Sequence, residues 1–154
     1  MSRDNMRFDI HYNEYMEKYL CTFWGRIDKM ILFAQIFLGT MVFANVSGTA
    51  VYGAIMAALG VFSVVYTPGK KSHEADIQII KYAKLRLIEE TMSDEELRAE
   101  IIKSSESGSD PIGLFSAPAY LRAAIKLDLE TKDIPKLTFL EKCFAWFGGD
   151  LPRA

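Results

Sequence analysis

Three consecutive pieces of the chain decide its architecture: MILFAQIFLGTMVFANV (Met30–Val46), SGT (Ser47–Thr49) and AVYGAIMAALGVFSVVY (Ala50–Tyr66). From Met30 to Gly69 there are 40 consecutive residues without Asp, Glu, Lys or Arg, although charged residues make up 25% of the 154-residue chain. Each 17-residue apolar piece, as a helix, would extend about 26 Å, against roughly 30 Å of hydrocarbon in a bilayer. Asn45, Ser47 and Gly48 supply a turn, and no strong breaker follows until Pro68. The reading is an all-α integral membrane protein built on a two-helix hairpin that satisfies its backbone hydrogen bonds internally. The competing reading is a soluble protein that buries both segments as core helices. It is disfavoured because the rest of so short a chain offers little to wrap helices apolar on every side.

The flanks fit interfacial placement. Trp24, Arg26 and Lys29 precede the first segment, and Tyr66, Lys70 and Lys71 follow the second. The connecting turn carries no charge and both outer flanks are basic, so the positive-inside rule places both termini in the cytoplasm. This divides the chain into an N-terminal amphipathic juxtamembrane helix (1–29), the two spans (30–66) and a cytosolic helical region (67–154) with a flexible connection near 104–117.

Composition removes other classes. Half the residues are apolar and the formal net charge is -2, which speaks against disorder and against general nucleic-acid binding. Cys21 and Cys143 are far apart, and neither they nor His11 and His73 have metal-ligand spacing, so no metal and no cofactor is expected. Both thiols read as reduced and mostly buried. Residues 1–29 mix five basic with five acidic side chains and lack the order of a cleaved signal.

Within the second span Ala50, Ala54 and Ala58 recur at i,i+4, and Gly53 with Ala57 repeats the pattern one position over. Small residues so spaced let another helix approach closely, either the first span of the same chain or a neighbouring subunit. Need for two such ridges favours a homo-oligomer. Polar residues that matter for a pore are Gln35 and Thr40 in the first span, Asn45 at the turn and Ser63 in the second span. In lipid they seek a bundle interior, as pore-lining groups or as hydrogen-bonding groups within the hairpin.

Outside the spans, Tyr12, Met16, Tyr19, Phe23 and Ile27 predict a helix from about residue 10 into the membrane, with Gly25 a candidate kink. Ser72–Met92 predicts a helix with Ile77, Ile80, Leu87 and Ile88 inward, and Ser93–Glu96 is a capping box opening another. Two further short helices are expected at Pro118–Glu130 and after a Thr138–Glu141 box, the last stopped by Gly148 and Gly149. Lys70, Lys71, Lys81, Lys84 and Arg86 form a basic stretch opposed only by Glu74 and Asp76. It would meet anionic headgroups or, in an assembly, an anionic nucleotide or oligonucleotide regulator.

No GxSxG, Walker, GxGxxG or HExxH pattern occurs, so the chain does not read as an enzyme. His73, Glu74 and Asp76 suit the first turn of a helix, and Glu89–Glu90 and Glu95–Glu96 read as solvated faces.

The whole layout, hairpin Met30–Tyr66 with its basic exit at Lys70–Lys71 and a helical tail, resembles the SLATT family. That resemblance implies an oligomeric pore-forming effector of bacterial anti-phage defence in the inner membrane, controlled by a nucleotide signal and a partner such as a nucleotidyltransferase. Two-span holins and plasmid entry-exclusion proteins share the outline. So does a non-conducting, membrane-anchored assembly subunit, which would use an exposed stripe of Leu140, Phe144 and Phe147 to hold its partner.

Overall fold

The computed structural model describes residues 2–44, 47–131 and 134–152. It is helical, with no strand among the described residues: α1 (Arg3–Phe43), α2 (Thr49–Tyr66), α3 (Pro68–Ile88), α4 (Asp94–Glu106), α5 (Ser116–Lys126) and α6 (Phe139–Phe147), with single 3₁₀ turns at Glu89–Thr91 and Gly113–Phe115. Both capping boxes form. The Ser93 N–H donates to Glu96 Oε2 (2.9 Å) and the Glu96 N–H to Ser93 Oγ (3.3 Å), and Thr138 and Glu141 repeat the exchange.

The organising element is α1, 41 residues and so about 60 Å long. It starts earlier than periodicity predicts, because Ser2 caps it by accepting the Asn5 N–H. It also runs unbroken through Gly25, whose missing side chain leaves room for Ser72. α2 lies along its C-terminal part and α3 along its N-terminal part, both running opposite to it. Gly60 sits by Gln35, Gly39 by Met56, Ser72 by Cys21, and Arg86 by Glu14. The α1 residues at this seam are Arg7, Ile10, Glu14, Glu17, Cys21, Trp24, Asp28, Ile31 and Gln35, spaced alternately three and four apart. That is the 3.5-residue period of a coiled coil.

The seam is polar where it is deepest. Glu14, with 2% of its side chain exposed, is held by Lys18 Nζ (2.5 Å) and Arg86 Nη1 (3.0 Å). Arg7 donates to Glu89 Oε1 (2.9 Å) and Glu90 Oε1 (3.0 Å). Of the Glu89–Glu90 pair, read as a solvated face, Glu90 is exposed but Glu89 is buried. Glu17 Oε1 accepts the Ser109 N–H (2.9 Å) while its Oε2, also buried, finds no partner among the described residues. Burial accordingly pushes the Glu17 carboxyl up from its ordinary value, and burial, then Arg86, pushes His11 down.

This seam overturns the expected orientation of α3. Ile77, Ile80, Leu87 and Ile88 are exposed, and the inward set is Ala75, Gln78, Tyr82 and Leu85. Alignment with a polar partner, not apolar content, selects the buried face. At the junction Thr67 is left-handed (φ 42°) and Pro68 opens α3 without an N–H to satisfy. A methyl at Gly69 would lie 3.1 Å from Asp28 Oδ1, so the glycine lets the carboxylate sit at the start of α3, where the helix dipole favours it.

The opposite side of α1 is covered by the tail. Met16, Tyr19 and Leu20 pack with Phe115, Ala119 and Ala145, and Tyr12 and Phe23 join them, so the aromatic stripe is core. A second cluster joins Met6, Ile10, Tyr82, Leu85, Leu97 and Ile101. The segment read as a flexible connection at 104–117 is helical to Glu106 and then docked. Gln78 donates to the Ser107 carbonyl, Ser109 bonds Glu17, and Phe115 is fully buried. Gly148 is required by the same core, since a methyl there would fall 2.7 Å from Tyr19 Cδ1.

Arg86→Ala leaves Glu14 buried with Lys18 alone and is expected to cost about 3 kcal/mol of stability, read as a lowered unfolding midpoint by circular dichroism. Glu17→Gln tests the second carboxylate. A carboxyl whose folded pKa is raised contributes stability below its unfolded value, ordinarily 4.5, and loses it as pH rises through the folded value. The Gln variant should therefore be more stable than the parent at pH ~7.5, with the gain shrinking toward pH ~4.5; His11 is common to both proteins and cancels.

Candidate functional site

Two regions carry the candidate residues: the outer surface of α2 and the groove between α3 and α4. The helical run Thr49–Thr91 contains an 18-residue window of mean hydropathy 1.8, none of it buried. By length and composition it can cross a membrane, which is consistent with membrane association. No residue of α2 is buried, so α2 is not part of the core of this chain. On α1, Met30, Leu32, Phe33, Ile36 and Phe37 are likewise exposed.

The face of α2 toward α1 carries Tyr52, Met56, Leu59, Gly60 and Ser63, all partly covered. Ala50, Ala54 and Ala58 are exposed and point roughly away from that face; Gly53 and Ala57 are exposed too, although Gly53, seven positions before Gly60, lies on nearly the same side as that residue. A methyl at Gly53 would meet nothing within 4 Å. The small-residue ridge thus takes no part in packing on the first segment. Of the polar residues, Gln35 turns its amide toward Gly60 and the Thr40 hydroxyl donates to the Phe37 carbonyl (2.6 Å). Ser63 is partly covered and its carbonyl caps α2 by accepting the Thr67 N–H. Asn45 lies outside the described residues.

The five basic candidates separate into three roles. Arg86 is committed to Glu14 inside the seam. Lys70 pairs with Glu74 (3.5 Å), and Lys71 lies over the Trp24 ring (4.5 Å from its centroid) and near Tyr66 (6.0 Å). Trp24, Tyr66 and Lys71, three of the residues expected to flank the two apolar segments, thus meet in one cluster. Lys81 and Lys84 line an open groove of about 670 Å³ between α3 and α4, with Ile88 and Met92 among its apolar lining. Lys81 donates to Ser107 Oγ (3.0 Å), and Lys103, across the groove, pairs with Glu100 (3.3 Å). Lys103 was not legible as a site residue, because in sequence it sits inside the acidic stretch Glu89–Asp110. Three lysines against one glutamate around an apolar floor suit an anion with a flat apolar part.

Other candidates resolve differently. His73, Glu74 and Asp76 are exposed. Cys21 is half-buried beside Ser72, whereas Cys143 is exposed, contrary to its expected burial. Phe144 packs against Phe23 and Phe115, with ring centroids 5.7 and 5.8 Å away, and Phe147 against Phe23 at 5.6 Å. Only Leu140 of the stripe Leu140, Phe144 and Phe147 is exposed.

No family model, curated protein or solved structure matches the chain.

The groove makes a direct prediction. An anion there makes charge-assisted hydrogen bonds worth about 1.5–3 kcal/mol each, so Lys81→Glu with Lys84→Glu should weaken ATP or inorganic triphosphate binding about tenfold or more in calorimetric titration. The midpoint of thermal unfolding should stay unchanged for Lys84→Glu alone, because Lys84 holds no residue of the seam, whereas Lys81→Glu also loses the bond to Ser107 and the attraction of Lys81 for the Glu17 carboxylate.

Proposed function

We propose that this chain is an oligomeric pore-forming protein of the bacterial inner membrane, the role its SLATT resemblance implies, with α2 and the last part of α1 forming a two-span hairpin and both termini in the cytoplasm. One observation carries the reading. An apolar helix with no buried residue presents Ala50, Ala54 and Ala58 outward, away from its own partner helix, and leaves Gly53 and Ala57 uncovered. A bilayer supplies the solvent that such a surface needs, and a second copy supplies the close helix contact that the ridge permits.

In such a ring Thr40 and Asn45 supply the polar lining, while Gln35 and Ser63 face the other helix of their own hairpin; the path then has little charge selectivity, and Phe and Met side chains close it by dewetting. An anionic nucleotide, made by a partner nucleotidyltransferase, would gate the pore from the α3–α4 groove. It must bind one state more tightly than the other, and α3 transmits the difference through Thr67–Pro68 to α2. The second reading, a non-conducting anchored protein such as an exclusion factor or assembly subunit, draws on the exposed Phe139, Leu140 and Trp146 of α6; a holin role would need no such tail.

Purified protein in planar bilayers should give discrete currents, and Gly53→Leu with Ala57→Leu should abolish them while leaving the chain folded. Silence from folded oligomer, with and without anionic nucleotide, would favour the anchored protein.

A further inference from the structure

α6 carries more apolar surface than its packing uses. Phe139, Leu140 and Trp146 are 78, 60 and 69% exposed, on a helix of nine residues. Phe139, Cys143 and Trp146 fall on one face of the helix, and Lys142 is the exposed charge beside them. Behind this face, an open and almost wholly apolar groove of about 500 Å³ is lined by Phe23, Phe144, Trp146, Phe147 and Leu151.

The position of this surface identifies its occupant. Arg26 Nη1 donates to the carbonyls of Trp146 (3.1 Å) and Phe147 (2.8 Å), closing the C-terminal end of α6 against α1. Arg26 stands one helical turn before Met30, where the exposed apolar surface of α1 begins. The last turn of α6 therefore continues the surface assigned above to lipid, at the level of Trp24, Tyr66 and Lys71. Tryptophan with one apolar and one polar edge is enriched at that depth. Arg26, Lys29 and Lys142 offer positive charge to headgroup phosphates, while the nearby acidic groups are already engaged. Glu141 caps Thr138, and Asp150 bonds Arg122.

We infer that the C-terminal turn of α6, led by Trp146, docks in the headgroup–acyl boundary of the bilayer as a third, peripheral membrane contact beside the two spans. The inference rests on the membrane reading and adds to it. It turns the last helix from a platform for a protein partner into a lipid anchor, so that movement of α1 relative to α6 is coupled to the membrane surface.

The test uses the full chain with Trp24→Phe, which leaves Trp146 as the single tryptophan, in vesicles of phosphatidylcholine and phosphatidylglycerol. A separate reporter, Phe33→Trp in a chain also carrying Trp24→Phe and Trp146→Phe, reads the span itself. The inference expects Trp146 emission to be blue-shifted, lost to lipids brominated near the headgroup end of the acyl chain, and protected from aqueous acrylamide. Emission quenched by acrylamide and indifferent to bromine, while the Phe33→Trp reporter is bromine-quenched, would overturn the anchor and leave the spans standing. Emission protected from both quenchers would also overturn it, since a protein surface would then cover Trp146. A Phe33→Trp reporter untouched by bromine would overturn the membrane reading and the anchor together.

Discussion

Glu14 is the point on which the arrangement turns. A carboxylate almost free of water is held between Lys18, one turn along its own helix, and Arg86 from α3. Removing either helix from the other would strand charge in the interior, which costs far more than the pair gains over an apolar contact. Sliding α3 by one turn would do the same, and would also part Arg7 from Glu89 and Gln78 from Ser107. The polar seam thus sets register, much as a buried polar position does in a coiled coil. Because α2 follows α3's register through Thr67 and Pro68, the face that α2 turns away from α1 is set from outside the apolar region.

That arrangement divides the molecule by burial. Around the N-terminal half of α1 the helices bury an ordinary core of Met6, Ile10, Tyr19, Tyr82, Leu97 and Phe115. Beyond Ile31 the same helix and α2 bury nothing, and their surface is almost entirely apolar. The boundary falls where Trp24, Lys71, Tyr66 and Arg26 gather. A proposed signal in the α3–α4 groove acts on the half with a core, and the proposed pore occupies the half without one; α3 and α2 connect them as a nearly continuous pair of helices.

Much of this was legible in the residues. The charge gap marks the apolar half, the two capping boxes mark α4 and α6, and the aromatic stripe Tyr12 to Phe23 marks a packed face. The inward face of α3 was not legible, because apolar periodicity pointed to Ile77, Ile80, Leu87 and Ile88, whereas α1 offers it a seam in which Arg7, Glu14, Glu17 and Asp28 occupy core positions. Reading the 3.5 period without regard to polarity would have found it, since Arg7 through Gln35 keep that spacing. The docked stretch after α4 was missed for a related reason: Ser107 and Ser109 read as loop residues, yet they satisfy the buried Gln78 and Glu17. Of the basic candidates, spacing found Lys81 and Lys84 but could not separate them from Arg86, whose partner lies 72 positions away.

The central claim is that the half of the molecule beyond Ile31 is solvated by lipid and the half before it by water. Single cysteines at three positions exposed in the structure, Phe33→Cys, Val64→Cys and Leu87→Cys, in full-length protein with Cys21→Ser and Cys143→Ser, decide it in native membranes with a charged, membrane-impermeant maleimide on opened vesicles. The account predicts labelling at position 87 and protection at 33 and 64 until the protein is denatured in detergent. Equal labelling at all three positions, or protein recovered in the soluble fraction without detergent, would contradict it.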